Sequence, residues 1–151
     1  MATKGLSKAE DIPRLYEYLI NYTEQIEKFG GLFDFEDKEV QKFLRQKDIY
    51  TERYRKDKLS KVRKHKWYLL FEQNIRSKKS GKDIAHHLLR HIRNAIAHAN
   101  IEKTTKKSKG ITNQIYTLKD FNPNSGGQTL IGVIESKLLW ELIELLIGTK
   151  K

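Results

Sequence analysis

Cysteine is missing from all 151 residues, which excludes disulfide bonds, thiolate metal sites and a cysteine nucleophile. No apolar run approaches the roughly 20 residues that cross a bilayer. The opening Met-Ala-Thr-Lys-Gly leads into polar residues rather than an apolar targeting segment, so a reducing cytoplasm is the expected setting. No phosphate-binding P-loop, dinucleotide fingerprint, serine elbow or HExxH pair is present, so the enzyme classes that rest on those motifs have no support. Internal repeats and a second domain are also absent, and residues 1–151 read as one domain.

Acidic residues are outnumbered, 19 against 30 Lys and Arg, for a net charge of +11. The excess is concentrated between Arg53 and Lys66, where Arg53, Arg55, Lys56, Lys58, Lys61, Arg63, Lys64 and Lys66 face a single acid, Asp57. Such a field concentrates polyanions, so nucleic acid is the expected partner; no membrane partner is expected, since no apolar run is long enough to span one. The plainer alternative is a solvated surface that keeps the protein dispersed.

Read in order, residues 1–10 form a flexible lead-in. Asp11 fits a helix N-cap, with Pro13 in the first turn. Leu15, Tyr18, Leu19, Tyr22, Ile26 and Phe29 make one apolar stripe that Gly30-Gly31 ends. Asp34, Glu36, Asp37 and Glu39 could bind a divalent metal, but acids at a helix start suit the helix dipole better. The helix expected there carries Val40, Phe43, Leu44, Tyr50 and Tyr54, and another, capped by Ser60, carries Trp67, Leu70, Phe71 and Ile75. Its aromatics suit a core, with base stacking as the alternative. Ser80 and Asp83 stand in capping-box spacing before a central helix over Asp83 to Ile101. Residues 102–110, rich in lysine, read as a mobile loop. Runs around Ile115 to Leu118 and Leu130 to Ile134 flank Asn122-Pro-Asn-Ser-Gly-Gly, a hairpin signal, and Ser136 to Ile147 reads as an apolar final helix able to pack also against a second copy. The expected architecture is mainly α: a compact bundle of about four to five helices with a small β-hairpin near the C-terminus.

Four of the five histidines lie in the central helix. At about 100° per residue, Ile84, Leu88, Ile92, Ala95, Ile96 and Ala99 cluster on a core face. A polar ladder of His87, His91, Asn94 and His98 runs beside them, with Arg90 and Arg93 beyond it. RNA can be cleaved by its own 2′-hydroxyl, and the enzyme need only move protons and stabilise charge on phosphorus. Histidine serves as base or acid near neutrality, arginine holds phosphate oxygens, and asparagine orients either group. Arg93, Asn94 and His98 suffice for such a cut, with no metal or cofactor expected. Arg90, Arg53, Arg55, Arg63 and Lys64 are the candidate RNA-backbone contacts. Zinc at His87 and His91 is a rival reading, but no third ligand accompanies them. The ladder could also be a solvated helix edge or a dimer seam.

At Arg93-Asn94-Ala-Ile-Ala-His98 the sequence resembles the HEPN superfamily of ribonucleases, whose signature is an Arg, often followed by a polar residue, and a His a few positions on. The resemblance implies a helical domain and a homodimer that joins two motifs in one composite cleft. It also implies an endoribonuclease leaving 2′,3′-cyclic phosphate and 5′-hydroxyl ends, in a bacterial toxin or phage-defence role, with an antitoxin or regulatory protein as a further partner. His87 and His91 lie outside the signature and receive no catalytic role. Some members lack nuclease activity, so a non-catalytic RNA-binding or nucleotide-sensing module working with a partner protein is the alternative.

Overall fold

The computed structural model describes residues 12–17, 19–20, 34–54, 59–72 and 81–149. Residues 12–17 and 19–20 are helical and are labelled α1. Then follow α2 (Lys38–Gln46), β1 (Ile49–Arg53), a 3-10 turn (Val62–Lys64) and β2 (Trp67–Phe71). The rest is α3 (Gly81–Ala97), β3 (Ile101–Ser108), β4 (Ile111–Phe121), β5 (Gln128–Glu135) and α4 (Ser136–Ile147).

The five strands form one mixed sheet in the order β1-β2-β5-β4-β3, with β1 parallel to β2 and every other pairing antiparallel. This overturns the expectation of a mainly α bundle with a small hairpin. One expected helix is a strand and the end of another is a second strand, and the physical reason lies in periodicity. Trp67, Leu69 and Phe71 point one way into the core while Leu70 is buried on the other side. A short apolar run buried on both faces fits a strand as well as a helix. Tyr50 lies on β1, because the helix stops at Gln46 and the chain reverses through Asp48, whose φ is 55°. The expected mobile loop at 102–110 is also corrected: eight residue pairs zip β3 to β4, from Ile101 opposite Leu118 to Ser108 opposite Ile111. Lys109 and Gly110, with φ of 51° and 78°, form the two-residue turn that suits hairpin twist.

Other expectations hold. The C-terminal hairpin is present as β4 and β5, and α4 occupies Ser136–Ile147. The acids after residue 33 start a helix, where the Asp37 carboxylate accepts from Glu39 N at 3.0 Å and Val40 N at 3.4 Å. Asp11, Tyr18, Tyr22, Ile26, Phe29, Gly30-Gly31, Ile75, Ser80 and residues 1–10 lie outside the described residues.

One core joins the inward side of the sheet to all four helices. It contains Leu15 and Leu19 of α1, Val40 and Leu44 of α2, Leu88, Leu89 and Ile92 of α3, and Leu142 and Ile143 of α4. Sheet alternation assigns Tyr116, Leu118 and Asp120 of β4 to the same inward side as Leu130 of β5 and Phe71 of β2. Gly132 sits in the middle of that face, where an added Cβ would lie 2.7 Å from Leu69 Cδ2 and 3.3 Å from the Tyr68 carbonyl oxygen.

Candidate functional site

The site is built where α3 ends. The buried side of α3 carries Ala85, Leu88, Leu89, Ile92 and Ala95, while Ile84 and Ile96 are only half-buried and Ala99 is exposed. The buried stripe is thus turned from the expected one, and it draws His91 inside at 3 % exposure. Arg90, Arg93 and Asn94 are half-buried along the margin.

α3 stops at Ala97, one residue short of His98, and does not run on to Ile101 as expected. His98 N donates to Asn94 O, Ala99 N to Ile96 O and Asn100 N to Ala95 O, the last at 2.7 Å. Ala99 has φ 58°. Together these bonds and the left-handed residue form the Schellman closure of a helix, with His98 as the C-cap. Asn100 O then accepts from Lys119 N at 3.0 Å, which ties the turn to β4. His98 therefore projects from a fixed corner, its side chain 59 % exposed, one helical turn beyond Asn94.

The corner overlies a buried acid that sequence reasoning did not single out, Asp120 of β4, 2 % exposed. His91 Nδ1 donates to Asp120 Oδ2 at 2.7 Å, and Thr129 Oγ1 donates to the same oxygen at 3.2 Å. Among the described residues Asp120 Oδ1 has no hydrogen-bond partner, and His98 Nδ1 stands 4.0 Å from it. A register shift at Asp120/Phe121 pairs Asp120 with Leu130 but Phe121 with Gln128, leaving Thr129 extra on β5. Bulges of this kind re-aim side chains beside functional sites. Here it accompanies the inward, buried Thr129 hydroxyl. One sequence signal pointed to Asp120: an acid on the inward phase of a strand, after Tyr116 and Leu118.

Burial holds the His91 imidazole below its ordinary pKa of 6.5; the hydrogen bond to Asp120 opposes this and the Arg90 charge reinforces it. His91 is therefore a neutral donor at pH 7, with its Nε2 at 3.7 Å from Glu72 Oε1. Arg90 Nη2 donates to His87 Nδ1 at 3.0 Å, so this arginine is engaged along its own helix. The His87 and His91 rings lie 6.3 Å apart at 15°. Among the described residues no three His, Asp or Glu are grouped to hold a metal ion.

The remaining candidates are dispersed. Arg53 sits at the end of β1 in the same cross-sheet row as Phe71, Leu130 and Asp120. At about 4.8 Å per strand, it stands roughly 14 Å from Asp120 along that row. Arg63 and Lys64 are exposed on the 3-10 turn, and Arg55 lies outside the described residues. Their segment is anchored through His65, whose Nδ1 meets Asp48 Oδ1 at 2.8 Å and whose ring stacks on Tyr50 at 4.7 Å. Lys66 lies 5.8 Å from the Trp67 ring centre, and Trp67 itself is buried in the core.

In comparison with known families, residues 12–148 fit the family described as HEPN pEK499 p136. HEPN domains are generally associated with RNase activity, which points to a nuclease or RNA-related role. No curated protein and no solved structure matches the chain. The matched span takes in every described helix and strand, α3 and its corner included, and the chain belongs to the HEPN pEK499 p136 family.

Proposed function

We propose that this protein is a metal-independent endoribonuclease with His98 as its proton-transfer group, Arg93 as its phosphate and transition-state stabiliser, and Asn94 as its positioning group. The carrying observation is an exposed imidazole fixed at the end of α3, one turn from Asn94 and beside a buried carboxylate, in a HEPN chain. In the reaction the 2′-oxygen attacks the adjacent phosphorus while its proton passes to a base. The bond to the 5′-oxygen breaks as an acid protonates it, leaving a 2′,3′-cyclic phosphate and a 5′-hydroxyl. One imidazole serves poorly as base and acid in the same step, whereas two copies of His98 across a two-fold axis divide the work. A homodimer with a composite cleft is therefore part of the reading, as is a bacterial toxin or phage-defence role.

RNA would lie across Arg53, Arg63 and Lys64, with the β3–β4 ribbon extending the basic surface. Lys106, Lys107 and Lys109 are exposed near its tip. At about 3.3 Å per residue, that tip reaches roughly 30 Å from Asp120. The same exposed ribbon supports a second reading, an RNA-binding module without cleavage that works with a partner protein.

The test is to incubate the protein with end-labelled RNA in EDTA and identify the termini. Cutting to cyclic phosphate that is lost in His98→Ala and Arg93→Ala supports the enzyme. Dependence on added metal, or full activity in His98→Ala, overturns it. Tight RNA binding by a wild type that never cuts favours the module.

A further inference from the structure

We infer that Asp120 is the positioning residue for His98: its Oδ1 receives the Nδ1–H of the imidazole and leaves Nε2 to exchange protons with the RNA. This rests on the ribonuclease reading above, and it adds a residue from β4 that the Arg93–His98 motif does not contain.

Three observations converge on it. First, Asp120 is almost wholly buried, yet among the described residues only one of its oxygens is used, by His91 and Thr129. A buried carboxylate oxygen left without a donor is costly and calls for a further N–H beside it. Second, the unused Oδ1 faces such a group, with His98 Nδ1 at 4.0 Å. This is about 1 Å beyond hydrogen-bond length, a gap that a small side-chain rotation closes. Catalytic hydrogen bonds are often long before substrate binds and tighten in the complex. Third, the approach is constructed on both sides: the Schellman corner fixes His98, and the β4–β5 irregularity accompanies the inward Thr129.

The chemical consequence concerns the tautomer. A carboxylate on Nδ1–H leaves Nε2 as the basic atom and stabilises the imidazolium formed when it takes a proton. His98 would then act with a fixed orientation. The charged and titratable groups around Asp120 are His98 at the corner, His91 and Arg90 of α3, and Glu72 behind His91. Each of them can shape the pH profile of the pair.

The deciding experiment is nitrogen-15 NMR of the histidine rings in the full-length protein, with His98 assigned by comparison with His98→Ala, alongside cleavage kinetics. In wild type, neutral His98 is expected to carry its proton on Nδ1. In Asp120→Asn that preference is expected to disappear, with kcat falling at least about 10-fold, part of the roughly 10²–10⁴-fold that general acid–base catalysis supplies, while KM stays within about 2-fold. The acid limb of the rate profile should move with it. A wild-type His98 protonated on Nε2 overturns the inference without any variant, so a misfolded Asp120→Asn leaves it testable. A folded Asp120→Asn with wild-type kcat, pH profile and ring shifts overturns it as well. If wild type does not cleave RNA but its His98 tautomer still depends on Asp120, the coupling stands and only the ribonuclease reading falls.

Discussion

Replacing Ala99 by glycine should stabilise the protein, an unusual direction for a change beside a functional histidine. Ala99 holds φ 58° at the position after the α3 C-cap. There an L-residue sets its Cβ against the following carbonyl oxygen, at a cost of roughly 1–2 kcal/mol. Glycine removes that clash and keeps the three backbone bonds made by His98, Ala99 and Asn100, none of which uses the side chain. Ala99 is exposed, so almost no packing is given up. Against the relief stands the greater freedom of glycine in the unfolded chain, about 0.5–1 kcal/mol. The net gain is about 0.5–1 kcal/mol, which for a chain of this size raises Tm by about 1–4 °C. Thermal unfolding followed by circular dichroism, with a urea titration as the second measure, reads the change directly. Ala99→Val should move the other way, since a branched side chain tolerates this backbone region worse. A Tm below wild type for Ala99→Gly would refute the strain argument and the corner geometry built on it.

Further expectations are as direct. His91 has a folded pKa below its unfolded 6.5, so between the two values the unfolded chain binds the extra proton and stability declines as pH falls. His91→Gln should flatten the wild-type slope of stability against pH below about 6.5, and an unchanged slope would show that His91 is not the titrating group. Gly132→Ala forces a methyl group against Leu69, itself fully buried, and should cost about 1–3 kcal/mol by overpacking; a neutral result in urea unfolding would mean the sheet centre relaxes. Changing Lys106, Lys107 and Lys109 together to glutamate should weaken RNA binding and flatten its salt dependence by about 0.7–0.9 in log–log slope for each phosphate no longer neutralised. Equal binding across a salt series would remove the ribbon from the RNA path. His65 and the Lys66 amide hold the Asp48 carboxylate below its ordinary 3.8, so acid should release the 59–66 segment only as pH falls under that value. Asp48→Asn should release it at neutral pH, visible by NMR as separation of the Tyr50 and His65 rings.

The parts of this fold that were legible carried two consistent signals. α4 joined an apolar helical face to a strand ending at Glu135, and the C-terminal hairpin joined β-prone runs to a turn whose side chains cap it: Asn122 Oδ1 accepts from Asn124 N and Ser125 N. β3 was illegible because it buries so little. Glu-Lys-Thr-Thr-Lys-Lys shows no alternation when nearly every side chain is exposed, and its strand character comes from β4 alone. β2 misled for the opposite reason, being apolar throughout. At the candidate site, the grouping of Arg93, Asn94 and His98 along α3 could be read because helical spacing is local. Asp120 lies 29 residues from His91 in sequence, and only the sheet brings the two together.

The place of β5 in the sheet has a consequence for how the chain reaches this state. β2 and β4 touch only through β5, which is made after both. Until residues 128–135 leave the ribosome, no strand can join β1–β2 to β3–β4 within the sheet. Neither the buried face shared by Phe71 and Asp120 nor the Thr129 hydroxyl is then in place. The corner that holds His98 can form locally on α3, but its acid acquires its surroundings only when the last strand inserts. Assembly of the site is thus tied to completion of the sheet rather than to synthesis of the motif.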